Sequence, residues 1–322
     1  MKIGNAPLRF ALAAVTVAAT LGLAQAANAA TCPAGFPGKP IRFVVGFGAG
    51  GGTDVIGRAV ASGIERLQKW TVVVENKPGA GGGVLNSWLK SQPADGYTVG
   101  VIGTDSVTVN PALDDVGYTW ADFDYLGTGM QTWLGLAALV DKPYNDLAGL
   151  VAFAKEKGRA TVSVSGVNQE ILLRQLSEEF KVNLVAIPGT GASEAMTAAL
   201  GGHVDATIQG TLHVAQIKAG KMKLLVSPID RRVPYAPDVG TLAEQGSKTP
   251  PMEAHTTFIT PKGIPAPIKE CLKQAIDEAV NTPEYKAQMD KFDNEALNLG
   301  EEKSRELTAR VAAFYKETLG KK

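Results

Sequence analysis

The stretch IRFVVGFGAGGGTDVIGR, residues 41–58, sets the terms on which this chain folds. It opens on a short run dominated by apolar residues, without the alternation of a half-exposed strand. Such a run suits a strand covered on both faces. Glycines 46, 48, 50, 51 and 52 follow. Next come apolar residues at helical spacing, Val55, Ala59, Ile64 and Leu67. Strand, glycine-rich turn and helix then recur. The pattern predicts strands over 71–75, 98–102, 134–140, 161–164, 184–187, 206–208 and 224–226, with a further one over 256–259. It predicts helices over 54–67, 84–90, 147–157, 170–180, 193–200, 266–280, 283–292 and 301–319. Residues 103–129 read as glycine- and aspartate-rich connections, and a proline-punctuated stretch begins near Pro228. The expected class is α/β: two units of mainly parallel strands, joined twice, with a cleft between them.

The N-terminus reads as a secretory signal peptide over residues 1–29. Lys2 and Arg9 precede the uncharged run ALAAVTVAATLGLAQA, and small residues at 27–29 fit a cleavage site. The expected location is the periplasm. Cys32 and Cys271 would then meet an oxidising compartment that permits a disulfide between them. Composition is that of an ordinary globular protein, 45% hydrophobic and 20% charged. The 32 basic and 32 acidic residues leave no footprint for nucleic acid, so an anionic ligand has to be held locally.

The glycine loop is the leading candidate for that role. Glycines let backbone N–H groups converge, and the following helix adds its unpaired donors and positive dipole end. Thr53 or Asp54 is the expected helix cap. Gly46, Gly48 and Gly51 also match G-x-G-x-x-G, with Glu75 near the acidic position of a dinucleotide site. A dinucleotide oxidoreductase is therefore one reading, although a second glycine loop directly after Glu75 counts against it. In that second loop Asn76 offers an amide to a ligand or braces the first loop. In the second unit Ser165, Gly166 and Asn168 lie between a strand and a helix. Thr190 and Gly191 precede a helix whose expected cap is Ser193. Asp205 is expected to brace a hinge or to touch ligand through water, and Trp133 to serve as core or pocket wall. His203, His213 and His255 are widely spaced and read as core or surface residues. No catalytic set, metal set or cofactor motif of higher specificity is present, and Asp114, Asp115, Asp122 and Asp124 read as solvated loop residues.

The ordered segments KPIRFVVGFGAGGGTDVIGR, VVVENKPGAGGGV, DGYTVG, NPAL and IPGTGASEAMTAALGGHVDA resemble the extracytoplasmic solute receptors of tripartite tricarboxylate transporters, the Bug family. The resemblance covers nearly the whole chain after the signal peptide. It implies a type II, flytrap-like periplasmic binding protein that is not an enzyme. Lobe 1 would comprise residues 30–128 and 229–322, and lobe 2 residues 129–228. It implies a small carboxylate ligand, membrane permease subunits as partners, a monomer, and neither cofactor nor metal. Carried over by position, the ligand contacts fall on Phe47, Gly48, Ala49, Gly52, Thr53, Asp54, Ser165, Gly166, Asn168, Thr190 and Gly191, with Asp205 beside the cleft. The chain departs from the family pattern at Gly46 and Gly48, where prolines are usual, and at Gly189-Thr190, where Tyr-Lys is common. A carboxylate sensor acting with a membrane kinase would have the same features.

Overall fold

The computed structural model describes Met1 and residues 32–189, 192–252, 255–291 and 293–319. The expected signal peptide, Thr190 and Gly191 lie outside the described residues. The strands are β1 (Ile41–Val45), β2 (Val72–Asn76), β3 (Thr98–Gly103), β4 (Phe123–Gln131), β5 (Gly135–Leu139), β6 (Ala160–Val164), β7 (Leu184–Pro188), β8 (Ala206–Gln209), β9 (Met222–Val226), β10 (His255–Pro261) and β11 (Glu295–Ala296). The longer helices of the first unit are α1 (Gly52–Gln68) and α2 (Gly83–Lys90), followed by the short α3 (Asp105–Thr108) and α4 (Asn110–Leu113). Then come α5 (Leu147–Lys157), α6 (Val167–Phe180), α7 (Ala192–Leu200) and α8 (Leu212–Lys218). The chain ends with α9 (Ala266–Val280), α10 (Pro283–Lys291) and α11 (Gly300–Leu319).

These elements form two sheets. One is six-stranded, in the order β11-β4-β10-β3-β1-β2, and the other five-stranded, β7-β6-β8-β5-β9. The apolar runs are explained by double coverage. In β1, Phe43 and Val45 join the cluster that contains Ile56 and Val60 of α1 and Ala275 and Ile276 of α9. Val44, between them, points the other way, to Leu85 and Leu89 of α2. The second sheet packs Leu136, Val162 and Ile208 against Leu150, Leu172 and Leu176. Each such fully buried aliphatic or aromatic side chain stabilises the fold by about 1.5–3 kcal/mol.

Neither sheet is purely parallel. β1, β2 and β3 run parallel, but β10 is antiparallel to both β3 and β4. In the second sheet β5 is antiparallel to β8 and β9. The physical reason is the route of the chain. β4 leaves its sheet at the carboxyl edge, and β5 enters the other sheet from its carboxyl edge, where Gly135 faces Gln209. β10 likewise starts beside Gln131 and must run backwards through the first sheet. The strand over 123–131 was not anticipated from sequence, because Gly127 and Gly129 interrupt its apolar pattern. Sheet-forming residues therefore extend past 128, and the transfer between sheets occupies residues 132–134.

Further ties reinforce the arrangement. Cys32 and Cys271 form a disulfide, with Cα atoms 4.9 Å apart, that fastens the segment before β1 to α9. Ile171 of α6 is buried with Val109 and with Val311, Tyr315 and Leu319 of α11, so an apolar cluster bridges the two lobes. α1 and α9 touch where Gly63 meets Ala279: a Cβ at Gly63 would lie 2.9 Å from the Ala279 Cβ. Gly63→Val is expected to destabilise the protein by about 1–3 kcal/mol through overpacking. An unchanged midpoint in urea unfolding would show that the helices separate freely.

Candidate functional site

The candidate site lies on the two facing carboxyl edges. Only Thr132, Trp133 and Leu134 separate β4 from β5, and Leu134 N–H turns back onto the Thr132 carbonyl at 3.1 Å. Four Cα–Cα steps reach at most about 14 Å, so the edges are held close together. On the first edge sit the loop after β1, Asn76 at the end of β2, and residues 104–106 after β3. On the second sit Ser165 after β6, Gly189 after β7 and Gly210 after β8.

The glycine loop is built to present backbone donors. α1 begins at Gly52 with Gly51 as its cap residue, and no side chain caps it. The expectation of a Thr53 or Asp54 cap is thereby corrected: both residues lie inside the first turn. Among the described residues, the N–H groups of Gly48, Ala49, Gly52 and Thr53 have no protein acceptor. Cβ atoms built at Gly48 and Gly52 meet nothing within 4 Å, so the space above the loop is open. Gly50 adopts φ +78°, which lets the chain turn there without strain. Phe47 is half-buried. Its ring reaches Gly82 and Gly103, and its carbonyl accepts a hydrogen bond from Asn76 at 2.9 Å.

Asp54 is 2% exposed and faces inward rather than toward open space. It accepts from Gly50 N–H at 2.9 Å, Arg58 Nε at 3.0 Å and Asn76 Nδ2 at 2.8 Å. Burial alone would raise its pKa, but the hydrogen bonds from Arg58, Gly50 and Asn76 outweigh it and hold the carboxyl below its ordinary value. With its oxygens engaged in this way, Asp54, foreseen as a ligand contact, braces the loop from beneath. Asn76 takes the bracing role of the two foreseen for it. Glu75 is held by Arg42 through two hydrogen bonds, at 2.9 and 2.8 Å, so the acid that a ribose would need is already engaged.

The second lobe repeats the donor arrangement. α6 starts after Gly166, again without a side-chain cap. Ser165 is half-buried and its N–H donates to Gln169 Oε1 at 2.8 Å. Asn168 Oδ1 accepts from Gln169 N–H at 2.9 Å, and its amide N–H₂ has no acceptor among the described residues. Asp205, foreseen as a brace or a water-mediated contact, stands at the amino ends of β6 and β8. Its carboxylate accepts from the N–H and hydroxyl of Thr161, each at 2.8 Å, and from Lys142 at 3.4 Å. Thr161 is at the amino end of β6, four residues or about 13 Å before Ser165. Asp205 therefore pins the far ends of β6 and β8. Trp133 is 7% exposed and belongs to the core of the second lobe, with an edge on a recess of about 580 Å³ that it shares with Lys218 and Tyr235.

Three groups on these edges escaped sequence reasoning. The side-chain carbonyls of Gln131 and Gln209 are buried, and no described donor reaches them. Asp105, two residues past β3, is half-buried and forms no ion pair with a described residue. Burial pushes its carboxyl above the usual range, although N–H groups of Ser106 and of Asp105 itself oppose the shift. A single aspartate at the start of a four-residue helix carries no periodic signal that would have marked it.

His213 and His255 are buried, and burial lowers their pKa values to about 3 and about 4. His213 Nε2 bonds to the Tyr235 hydroxyl beside the chain crossing. In the unfolded chain both histidines titrate near 6.5, so between pH 6.5 and about 4.5 the unfolded state holds the extra protons. Stability is expected to fall with pH across that window, by up to about 1.4 kcal/mol per pH unit for each histidine. The raised Asp105 works in the opposite sense, and the lowered carboxylates act only below their unfolded values. Urea unfolding at pH 7.0 and 5.0 checks this, and a His213→Gln variant is expected to show a shallower slope. Asp54→Ala removes the acceptor of Gly50 N–H, Arg58 Nε and one Asn76 amide hydrogen and is expected to cost about 1–3 kcal/mol. A variant as stable as the parent would remove Asp54 from its bracing role.

Comparison with known proteins agrees with this geometry. The family model for the tripartite tricarboxylate transporter family receptor, TctC, matches residues 56–316. The "UPF0065 protein in gbd 5'region" of Cupriavidus necator is 30% identical over 326 residues, covering 99% of this chain and 96% of its own. A crystal structure of a TctC solute binding protein from Polaromonas superimposes with a TM-score of 0.75 at 26% identity, covering 89% of this chain and 100% of that one. The periplasmic binding protein BugD gives a TM-score of 0.75 at 28% identity, with 89% and 98% covered. This chain thus belongs to the tripartite tricarboxylate transporter receptor family and has the two-lobed type II fold of periplasmic solute-binding proteins.

Proposed function

We propose that this protein is an exported receptor that captures a small organic acid between its lobes and delivers it to a membrane permease, without performing chemistry on it. The observation that carries this reading is the pair of glycine-capped helices, α1 and α6, that begin on facing carboxyl edges. A carboxylate accepts several hydrogen bonds at once, and free N–H groups at a helix start are matched donors for it. Two half-sites on separate lobes bind most tightly when the lobes close, so ligand shifts the open–closed population toward the closed form. The closed form is the state a permease would read. Export rests on the charged and apolar pattern of residues 1–29. A dinucleotide fits less well, because Glu75 is committed to Arg42.

A thermal-shift screen of purified protein against mono-, di- and tricarboxylates tests the reading. A true ligand at a hundred times its Kd stabilises the folded state by about 2.7 kcal/mol. Stabilisation by neutral sugars or NAD(P) and by no acid would overturn it. Gly52→Val places a side chain in the open space above the loop, so it is expected to leave the unliganded protein folded while weakening acid binding by about tenfold or more, equivalent to 1.4 kcal/mol per decade.

A further inference from the structure

Asp105 is the acidic group that the carboxylate reading leaves unexplained. It follows Gly103, the last residue of β3, and the absence of a Cβ at Gly103 makes room for it: a Cβ there would lie 2.5 Å from Asp105 Oδ1. The Phe47 ring lies 3.6 Å from the same point, so the carboxylate and the ring flank one glycine at the inner side of the donor loop. Thr104 N–H is bonded to the carbonyl of His255 at 3.0 Å, which fixes this turn to β10 in mid-sheet. Asp105 therefore stands between the start of β10 and the loop that presents Gly48 to Thr53.

The arginines of β1 and of the first turns of α1, the elements beside β3, are committed elsewhere. Arg58 is bonded to Asp54 and Asn76. Arg42 is bonded to Glu75, and Arg42 and Lys77 both lie over the Trp88 ring. His255 is kept neutral by burial. Among the described residues Asp105 has no ion-pair partner, and its half-buried carboxylate is set over Gly103 beside the Phe47 ring, where burial raises its pKa. A withdrawn carboxyl without a cation is costly and marks a place where a ligand supplies the missing charge. A plain dicarboxylate would set a second negative charge beside it.

We propose that Asp105 receives a protonated amino group of the bound acid, so that the preferred ligand is an amino-carboxylate rather than a simple di- or tricarboxylate. This rests on the carboxylate site described above: the ligand carboxylate takes the N–H donors of the glycine loop, and its ammonium turns inward past Phe47 to Asp105. The assignment makes Asp105 a specificity residue, since an ammonium–carboxylate hydrogen bond favours the amino acid and like charge disfavours its dicarboxylate analogue.

Calorimetric titration of the full exported protein with matched sets tests it: succinate, aspartate and 4-aminobutanoate, then glutarate, glutamate and 5-aminopentanoate. A thermal-shift panel of other amino-carboxylates and their nitrogen-free analogues extends the range of chain lengths. The wild type is expected to bind an amino-bearing member at least about tenfold more tightly than its nitrogen-free analogue. Asp105→Asn, nearly isosteric, is expected to lose about ten- to a hundredfold for that ligand and to lose nothing for the analogue. The wild-type preference stands as a test even if the variant misfolds, which circular dichroism would reveal. Binding confined to nitrogen-free acids, or an Asp105→Asn variant that keeps full amino-acid affinity, overturns this inference and leaves the carboxylate receptor intact. Absence of binding by every acid overturns both.

Discussion

Three residues, 132–134, govern the geometry of this protein. They carry the chain from the carboxyl edge of one sheet to the carboxyl edge of the other, with the N–H of Leu134 folded back on Thr132. A link so short leaves two sheets no freedom to present any other edges to each other. The antiparallel entry of β5 and β10 follows directly, since each receives the chain at the edge where parallel strands end. The loops after β1 and β6 are on those edges for the same reason, and a cleft between lobes is the consequence rather than a separate design.

Within the cleft, rigidity and availability are divided among different groups. Asp54, Arg58 and Asn76 form a closed network beneath the first loop, bonded to Gly50 and to the Phe47 carbonyl. The network leaves other N–H groups of the loop unpaired. A buried carboxylate thus orders a loop suited to anions: its charge is balanced by Arg58 and its lone pairs are filled, so its field is largely spent locally. The second lobe uses a neutral version, in which Gln169 and Asn168 hold the turn before α6.

Contacts beyond the crossing join the lobes as well. Ile171, six residues after Ser165, is buried against Val109 and the last turns of α11. Glu179, farther along α6, gathers the Ser247 and Thr249 hydroxyls and the N–H groups of Lys248 and Thr249 from the returning segment. The apolar cluster includes the first turns of α6 and is the part that separation of the lobes would uncover. The Glu179 cluster holds the returning chain to the second lobe itself.

Much of this architecture was legible in the sequence. Wholly apolar runs separated by glycine turns and helical spacing required strands covered on both faces, and the first glycine loop stood out because a turn alone needs fewer glycines. β4 was not legible, since Gly127 and Gly129 break its pattern and its stability comes from pairing with β10. The roles of charged residues were also hidden. Asp54 and Asp205 look like equivalent cleft acids in one dimension, yet one is a brace under the first loop and the other pins the amino ends of β6 and β8, about 13 Å along β6 from Ser165. Asp105 gave no signal at all. Local propensity and periodicity are properties of neighbours along the chain, so the sequence by itself determined the elements, the glycine loops and the family. Which edge each strand presents, and which carboxylate meets a cation, depend on contacts between residues far apart in sequence, and only the tertiary structure decided them.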